Sequence, residues 1–183
     1  ETMPKTIWLN PNYAPIGAET NIDYYESIHF QGSGWIEFYG EDIENQLILD
    51  SDFTIQLWFS GNTFSEEEAP CILNIQDEEL NLAIYRDLNI SNRVMIYINQ
   101  ILFETEEIND MNLDIDTNFY LLSIVIEGTS LRIYINDTML LIEENIEIVS
   151  PELIVGGYIN KPEDEYGNYW YGYIDEIRLW NIA

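Results

Sequence analysis

The chemistry this chain could do is concentrated in the run Asn160-Lys161-Pro162-Glu163-Asp164-Glu165-Tyr166-Gly167-Asn168-Tyr169-Trp170, which sets consecutive acids beside large rings. Flat apolar faces suit the C–H surfaces of a sugar, and nearby polar groups suit its hydroxyls. Tyr166, Tyr169, Trp170, Asp164 and Asn168 are therefore the candidate ligand-binding residues. The same residues have a plainer reading, in which the rings pack against the domain and the acids are solvated.

A second group of interest is a carboxylate in the last alternating run, Tyr171-Gly172-Tyr173-Ile174-Asp175-Glu176-Ile177-Arg178-Leu179-Trp180. On a regular strand Tyr173, Asp175, Ile177 and Leu179 share one face, and Glu176, Arg178 and Trp180 the other. That parity predicts Asp175 on the buried side, where a carboxylate needs backbone N–H donors, a cation or a route to solvent.

Nucleophilic catalysis finds little support. His29 is the only histidine and Cys71 the only cysteine, and neither has a matching partner motif, so a triad is not expected. Cys71 in the apolar run Cys71-Ile72-Leu73 reads as a small core residue, with no intrachain disulfide possible. Glycoside hydrolysis needs two carboxylates about 5–10 Å apart. The nearest approaches are Asp114 with Asp116 and Glu41 with Glu44, and neither pair completes a catalytic pattern. No enzyme activity is expected.

These residues sit in a chain of 183 residues with 34 acidic and 6 basic side chains, a formal charge of −28. Such a surface repels nucleic acid and anionic lipid, whose binding depends on Lys and Arg. Its oxygen-rich side chains favour hard cations such as Ca²⁺, although dispersed acids also simply keep a β-protein soluble. With 46% hydrophobic residues the chain can build a core. No apolar run is long enough to span a membrane, so this fragment is not expected to insert into one. The chain begins at Glu1 with no signal-peptide pattern, and reads as a piece of a longer protein.

Positioning the candidate residues falls to β-strands. Residues 1–26, punctuated by Pro4, Pro11 and Pro15, read as an irregular arm or linker, and 27–183 as one domain. Ser27–Phe30 and Trp35–Tyr39 flank Gln31-Gly32-Ser33-Gly34 and predict a hairpin. Phe53, Ile55, Leu57 and Phe59 alternate with Thr54, Gln56 and Trp58; Leu80, Leu82 and Ile84 alternate, as do Val94, Ile96 and Ile98. Phe119–Ile126 is apolar on both faces, as a central strand would be. Asn136-Asp137 predicts a tight turn after Leu131, Ile133 and Ile135. Glu104–Asp116 reads as a loop. Short strands at this spacing, without a sustained 3.6-residue period, predict an antiparallel β-sandwich.

Several of these segments resemble, in order, the laminin-G-like (concanavalin A-like) jelly-roll family. Ile28–Glu37 resembles its opening L-x-F-D-G-x-x-D-Y-V-E, one residue shorter, and Asp52–Phe59 resembles D-F-T-I-x-x-W-V. Ser130–Asp137 resembles L-x-I/L-Y-V-D/N-G, Leu153–Gly157 resembles L-x-I-G-G, and the last strand resembles a glycine followed by I-D-E-I/V-R-I/L-W/Y-N. The resemblance covers Ser27–Ala183 and implies an all-β jelly roll whose loops form binding surfaces. It implies a noncatalytic recognition or adhesion domain, secreted or at the cell surface, binding glycans or a cell-surface or matrix protein. The alternative is a structural or protein–protein module of a large surface protein.

The family's last-strand acid can help hold a structural Ca²⁺ near the first strand. Asp175 is the matching position, with Asp23 and Glu26 as the other candidate ligands. The chain departs from the pattern at Gln31, where an Asp is usual, and at Gly34 or Trp35, where a second is expected. Without an ion, Asp175 would instead cap backbone donors at the strand end.

Overall fold

The computed structural model describes residues 5–6, 28–31, 36–38, 52–61, 69–76, 80–115, 117–146, 152–160 and 165–180. Their strands, in chain order, are β1 (Lys5–Thr6), β2 (Ile28–Gln31), β3 (Ile36–Phe38), β4 (Asp52–Gly61), β5 (Cys71–Gln76), β6 (Asn81–Arg86), β7 (Val94–Ile98), β8 (Ile101–Glu104), β9 (Tyr120–Glu127), β10 (Ser130–Ile135), β11 (Thr138–Glu144), β12 (Glu152–Val155), β13 (Tyr158–Asn160), β14 (Glu165–Gly167) and β15 (Tyr171–Trp180). Among the described residues there is no helix, and hence none long and apolar enough to cross a membrane.

Two antiparallel sheets face each other. One is seven-stranded in the order β1-β15-β4-β9-β10-β11, with β2 also on β15; the other runs β3-β12-β5-β6-β7-β8. Their alternating residues explain the stacking, because one parity of each strand is apolar. Phe53, Ile55, Leu57 and Phe59 of β4 are buried with Leu122, Ile124 and Ile126 of β9. Leu73 and Ile75, Leu82 and Ile84, and Val94 and Ile96 from the facing sheet complete the same core. Burying that parity against a second layer is what holds the sandwich together.

Several expectations hold. β9 lies between β4 and β10. Asn136 adopts φ 54° in the β10–β11 turn, as a tight hairpin needs. The Glu104–Asp116 stretch contains no helix among its described residues, and its buried Ile108, Met111 and Leu113 plug the core.

One expectation about strand pairing is overturned. Ile28–Gln31 and Ile36–Phe38 are not a hairpin: β2 pairs with β15 in one sheet and β3 with β12 in the other. Apolar alternation sets which face is buried, but not which strand lies alongside. Lys5–Thr6, within the stretch read as irregular, pairs with Leu179 and Arg178 of β15.

The second correction concerns Asp175. The pairing of β15 with β4 shifts register between Asp175 and Arg178, and Glu176 takes φ 45°. A bulge inserts one residue and reverses the phase of everything before it. Ile177 and Leu179 are buried as expected, but upstream the buried residues are Gly172 and Ile174, with Tyr173 and Asp175 on the half-exposed side. Asp175 Oδ1 accepts the Glu176 N–H at 2.7 Å, so the carboxylate caps the bulge.

Candidate ligand-binding face

The outward parity of β6 and β7 builds a cavity on the six-stranded sheet. Leu82, Ile84, Val94 and Ile96 point into the core, which leaves Ala83, Tyr85, Met95 and Tyr97 on the other face. Tyr85 and Tyr97 meet edge to face with centroids 5.5 Å apart, an arrangement aromatic quadrupoles prefer. Ala83, opposite Tyr97, is small enough to leave room between them.

The ends of the cavity are held by backbone and carboxamide bonds. Asn99 and Gln100 take φ 49° and 68°, the double left-handed geometry of a type I′ hairpin turn. Asn99 N–H donates to the Asn81 carbonyl at 2.8 Å, and Asn81 N–H donates to Asn99 Oδ1 at 2.7 Å. This clamp fixes Asn81 and Gln100 at one end. Near the Tyr85 end, Arg86 N–H donates to the Pro70 carbonyl at 2.9 Å, which brings Ala69 alongside. Asn168 Nδ2 donates to the Ala69 carbonyl at 3.0 Å, while the Asn168 carbonyl accepts the Cys71 N–H at 2.6 Å.

The resulting cavity is about 330 Å³ and is lined by Ala69, Asn81, Ala83, Tyr85, Met95, Tyr97, Gln100 and Asn168. That is the small end of the range for ligand pockets. Among the described residues its wall contains two phenol rings, three carboxamides and no charged side chain. Asn74 and Gln76 of β5 stand in the adjoining outward row, opposite Ala83 and Asn81. Asn74 Nδ2 donates to Asn81 Oδ1 at 3.1 Å and to the Leu82 carbonyl at 2.9 Å. Asn74 Oδ1 and Gln76 Oε1 are buried and have no donor among the described residues.

Of the residues expected to hold a ligand, Asn168 lines this cavity. Tyr169 is half-buried and is not among the lining residues. Tyr166 is described by its backbone alone, in β14, and Asp164 lies outside the described residues. Trp170 is corrected: it is 0% exposed, edge-on to Phe59, and its indole N–H donates to the Ser60 carbonyl at 3.2 Å. A ring enclosed in the core offers no face to a sugar. Tyr85, Tyr97, Asn81 and Gln100 escaped the sequence reading, although uncharged residues at the outward positions of two strands in so acidic a chain were a usable signal.

Among the described residues no three His, Cys, Asp or Glu side chains come together to hold a metal. Asp175 is occupied with the bulge, and Asp23 and Glu26 lie outside the described residues. Asp114 forms an ion pair with buried Arg86, whose guanidinium also donates to the Leu113 carbonyl at 2.9 Å. Burial lowers the Arg86 pKa, and Asp114 offsets part of that. Asp116, Glu41 and Glu44 lie outside the described residues. His29 stacks on Tyr173 at 4.3 Å. Burial pushes the Cys71 thiol far up, so it stays protonated.

The two antiparallel sheets form a jelly-roll sandwich of the laminin-G-like, concanavalin A-like fold. Solved structures with this fold include a native heptameric SAP-like pentraxin from Limulus polyphemus, 15% identical, with a TM-score of 0.58 over 86% of this chain and 76% of that one. Domain 4 of AbnA, a GH43 extracellular arabinanase from Geobacillus stearothermophilus solved with arabinotriose, is 13% identical, with a TM-score of 0.56 over 86% and 71%. Domains LG4-5 of the mouse laminin alpha1 chain are 15% identical, with a TM-score of 0.57 over 84% of this chain and 40% of that one. At such identities the likeness is one of fold. No family model matches the chain. A stretch of 24 residues is 62% identical to peptide deformylase 2 of Rickettsia conorii, but spans only 13% of this chain and 12% of that protein. So short a match carries neither fold nor activity.

Proposed function

We propose that this chain is a noncatalytic carbohydrate-recognition domain of a secreted or surface protein, and that it binds a glycan in the Tyr85–Tyr97 cavity. The observation that carries this reading is the composition of the wall: two tyrosine rings and three carboxamides around about 330 Å³. Carboxamides donate and accept at once, as hydroxyls require, and tyrosine rings cover apolar sugar faces at low entropic cost. The arabinotriose bound to the similarly folded arabinanase domain supports a saccharide as ligand class. Binding to a glycan array, lost in Tyr97→Ala, tests it; an array with no binding sinks it.

A second reading is favoured by one observation. Met139 and Ile142 on β11, at one end of the seven-stranded sheet's strand order, are 50% and 49% exposed. Exposed apolar side chains on a strand at the end of a sheet's order fit a protein–protein module. Concentration-dependent association in light scattering, removed by Met139→Lys, would favour this reading over the first.

A further inference from the structure

We infer that Asn168 is a specificity-determining residue of the cavity, and that its side-chain oxygen accepts a hydrogen bond from a hydroxyl of the bound saccharide. This rests on the carbohydrate reading above and narrows the ligand class to glycans with an unsubstituted hydroxyl at the Asn168 end. Its basis is how the carboxamide is set. Asn168 lines the cavity beside Ala69, and its Nδ2 donates to the Ala69 carbonyl at 3.0 Å. A carbonyl oxygen only accepts, so the amino arm of the carboxamide must face Ala69, and chemistry alone fixes the orientation. Oδ1 lies on the opposite arm, and among the described residues no donor bonds to it. One Nδ2 proton is already used while the lone pairs of Oδ1 remain, so the residue offers a ligand chiefly an acceptor.

The backbone holds that acceptor in place. Asn168 has φ 53°, a left-handed conformation that asparagine tolerates. Its carbonyl accepts the Cys71 N–H at 2.6 Å. Two residues on, Trp170 N–H donates to the Gly156 carbonyl at 2.9 Å, and Gly156 N–H donates in turn to the Ile72 carbonyl at 2.9 Å. Asn168 is thus tied on one side to β5 and on the other to a tryptophan enclosed in the core. An acceptor ordered before the ligand arrives spares the cost of ordering it on binding. A site built around such a group discriminates against a ligand that has no proton to give at the matching position.

The test takes the best binder from a glycan array and titrates it, with its monodeoxy, deoxyfluoro and O-methyl analogues, against wild type and Asn168→Gly. Fluorine and a methyl ether cannot donate a hydrogen bond. We expect one hydroxyl at which all of these changes weaken wild-type binding about tenfold, the scale of a single hydrogen bond. In Asn168→Gly, which keeps the left-handed backbone accessible, the parent and its analogues at that hydroxyl should bind alike. A variant that weakens parent and analogues by the same factor would mean that Asn168 acts only by holding Ala69, and the inference falls. A wild-type measurement stands beside it, independent of how the variant folds. By NMR with labelled asparagine, the Asn168 side-chain carbonyl carbon should shift on saturation with the parent glycan and not with the deoxyfluoro analogue. Equal shifts, or fluorination tolerated at every hydroxyl, would overturn the inference and leave carbohydrate recognition standing. No binding by any saccharide would remove both.

Discussion

Tyr85 and Tyr97 lie on diagonal positions of the β6–β7 hairpin, their rings edge to face at 5.5 Å, on the side of the sheet opposite the core. Diagonal neighbours on one face of an antiparallel pair are within reach of each other when the side chains are aromatic. The pair is thus assembled by strand register alone. A recognition surface built this way should be separable from stability.

Tyr97→Ala is expected to weaken glycan binding at least tenfold while shifting the unfolding free energy by only about 1 kcal/mol, the scale of one cross-strand aromatic pair. Calorimetric titration together with urea unfolding checks both halves. A variant that loses stability and binding in parallel would make Tyr97 a packing residue.

Trp170→Ala should do the reverse. The ring is fully enclosed and edge-on to Phe59, and its N–H satisfies the Ser60 carbonyl. Emptying such a site costs about 3–5 kcal/mol, read as a lowered midpoint in denaturant. Unchanged stability would place the indole at the surface.

Gly156→Ala is expected to destabilise by about 2 kcal/mol or more, combining left-handed backbone strain with overpacking. Gly156 has φ 79°, and a Cβ there would stand 2.5 Å from the ring of buried Phe30. Thermal melting of the variant measures it, and a partner Phe30→Leu should recover part of the loss.

Asp175→Asn should leave the melting temperature nearly unchanged in EDTA, because an amide oxygen can still accept the Glu176 N–H. With the carboxylate half-exposed and engaged at the bulge, 1 mM Ca²⁺ in 150 mM NaCl should shift the wild-type melt no more than Mg²⁺ does. A Ca²⁺-specific rise that Asp175→Asn abolishes would establish Asp175 as a ligand, with Asp23 and Glu26 the next to change.

Asp87 provides a pH signature. Burial works to raise its pKa, but N–H bonds from Asn89 and Ile90 at 2.7 and 3.1 Å and the Arg93 guanidinium outweigh it, so the pKa lies below the ordinary 3.8. A depressed folded-state pKa contributes stability that is fully present above pH 3.8 and is lost as pH falls through the folded value. The stability gap between wild type and Asp87→Asn should therefore be constant near neutrality and close as the pH falls below that point. A gap independent of pH would mean that the Asp87 carboxyl is not held below its ordinary value by these N–H bonds and Arg93.

What could be read from the residues was whatever depends on local period and local turn chemistry. Phe53 to Phe59 announces a half-buried strand because side chains alternate every residue. Asn136-Asp137 announces a hairpin because only a few residue types tolerate a positive φ. Trp170 shows the limit: an aromatic beside acids is equally consistent with a ligand platform and a core plug, and the choice depends on what packs over it.

From the sequence alone came the class of the fold, an acidic all-β sandwich, because one apolar parity per strand can be hidden only against another sheet. Three-dimensional packing decided the rest. It sent β2 and β3 to different sheets, since alternation carries no address for a strand's partner. It turned Asp175 outward, since one inserted residue at a bulge reverses every side chain before it. And it brought Asn168 beside Tyr85 and Tyr97, residues more than seventy positions apart, because a site made by strand register exists only once the register has formed.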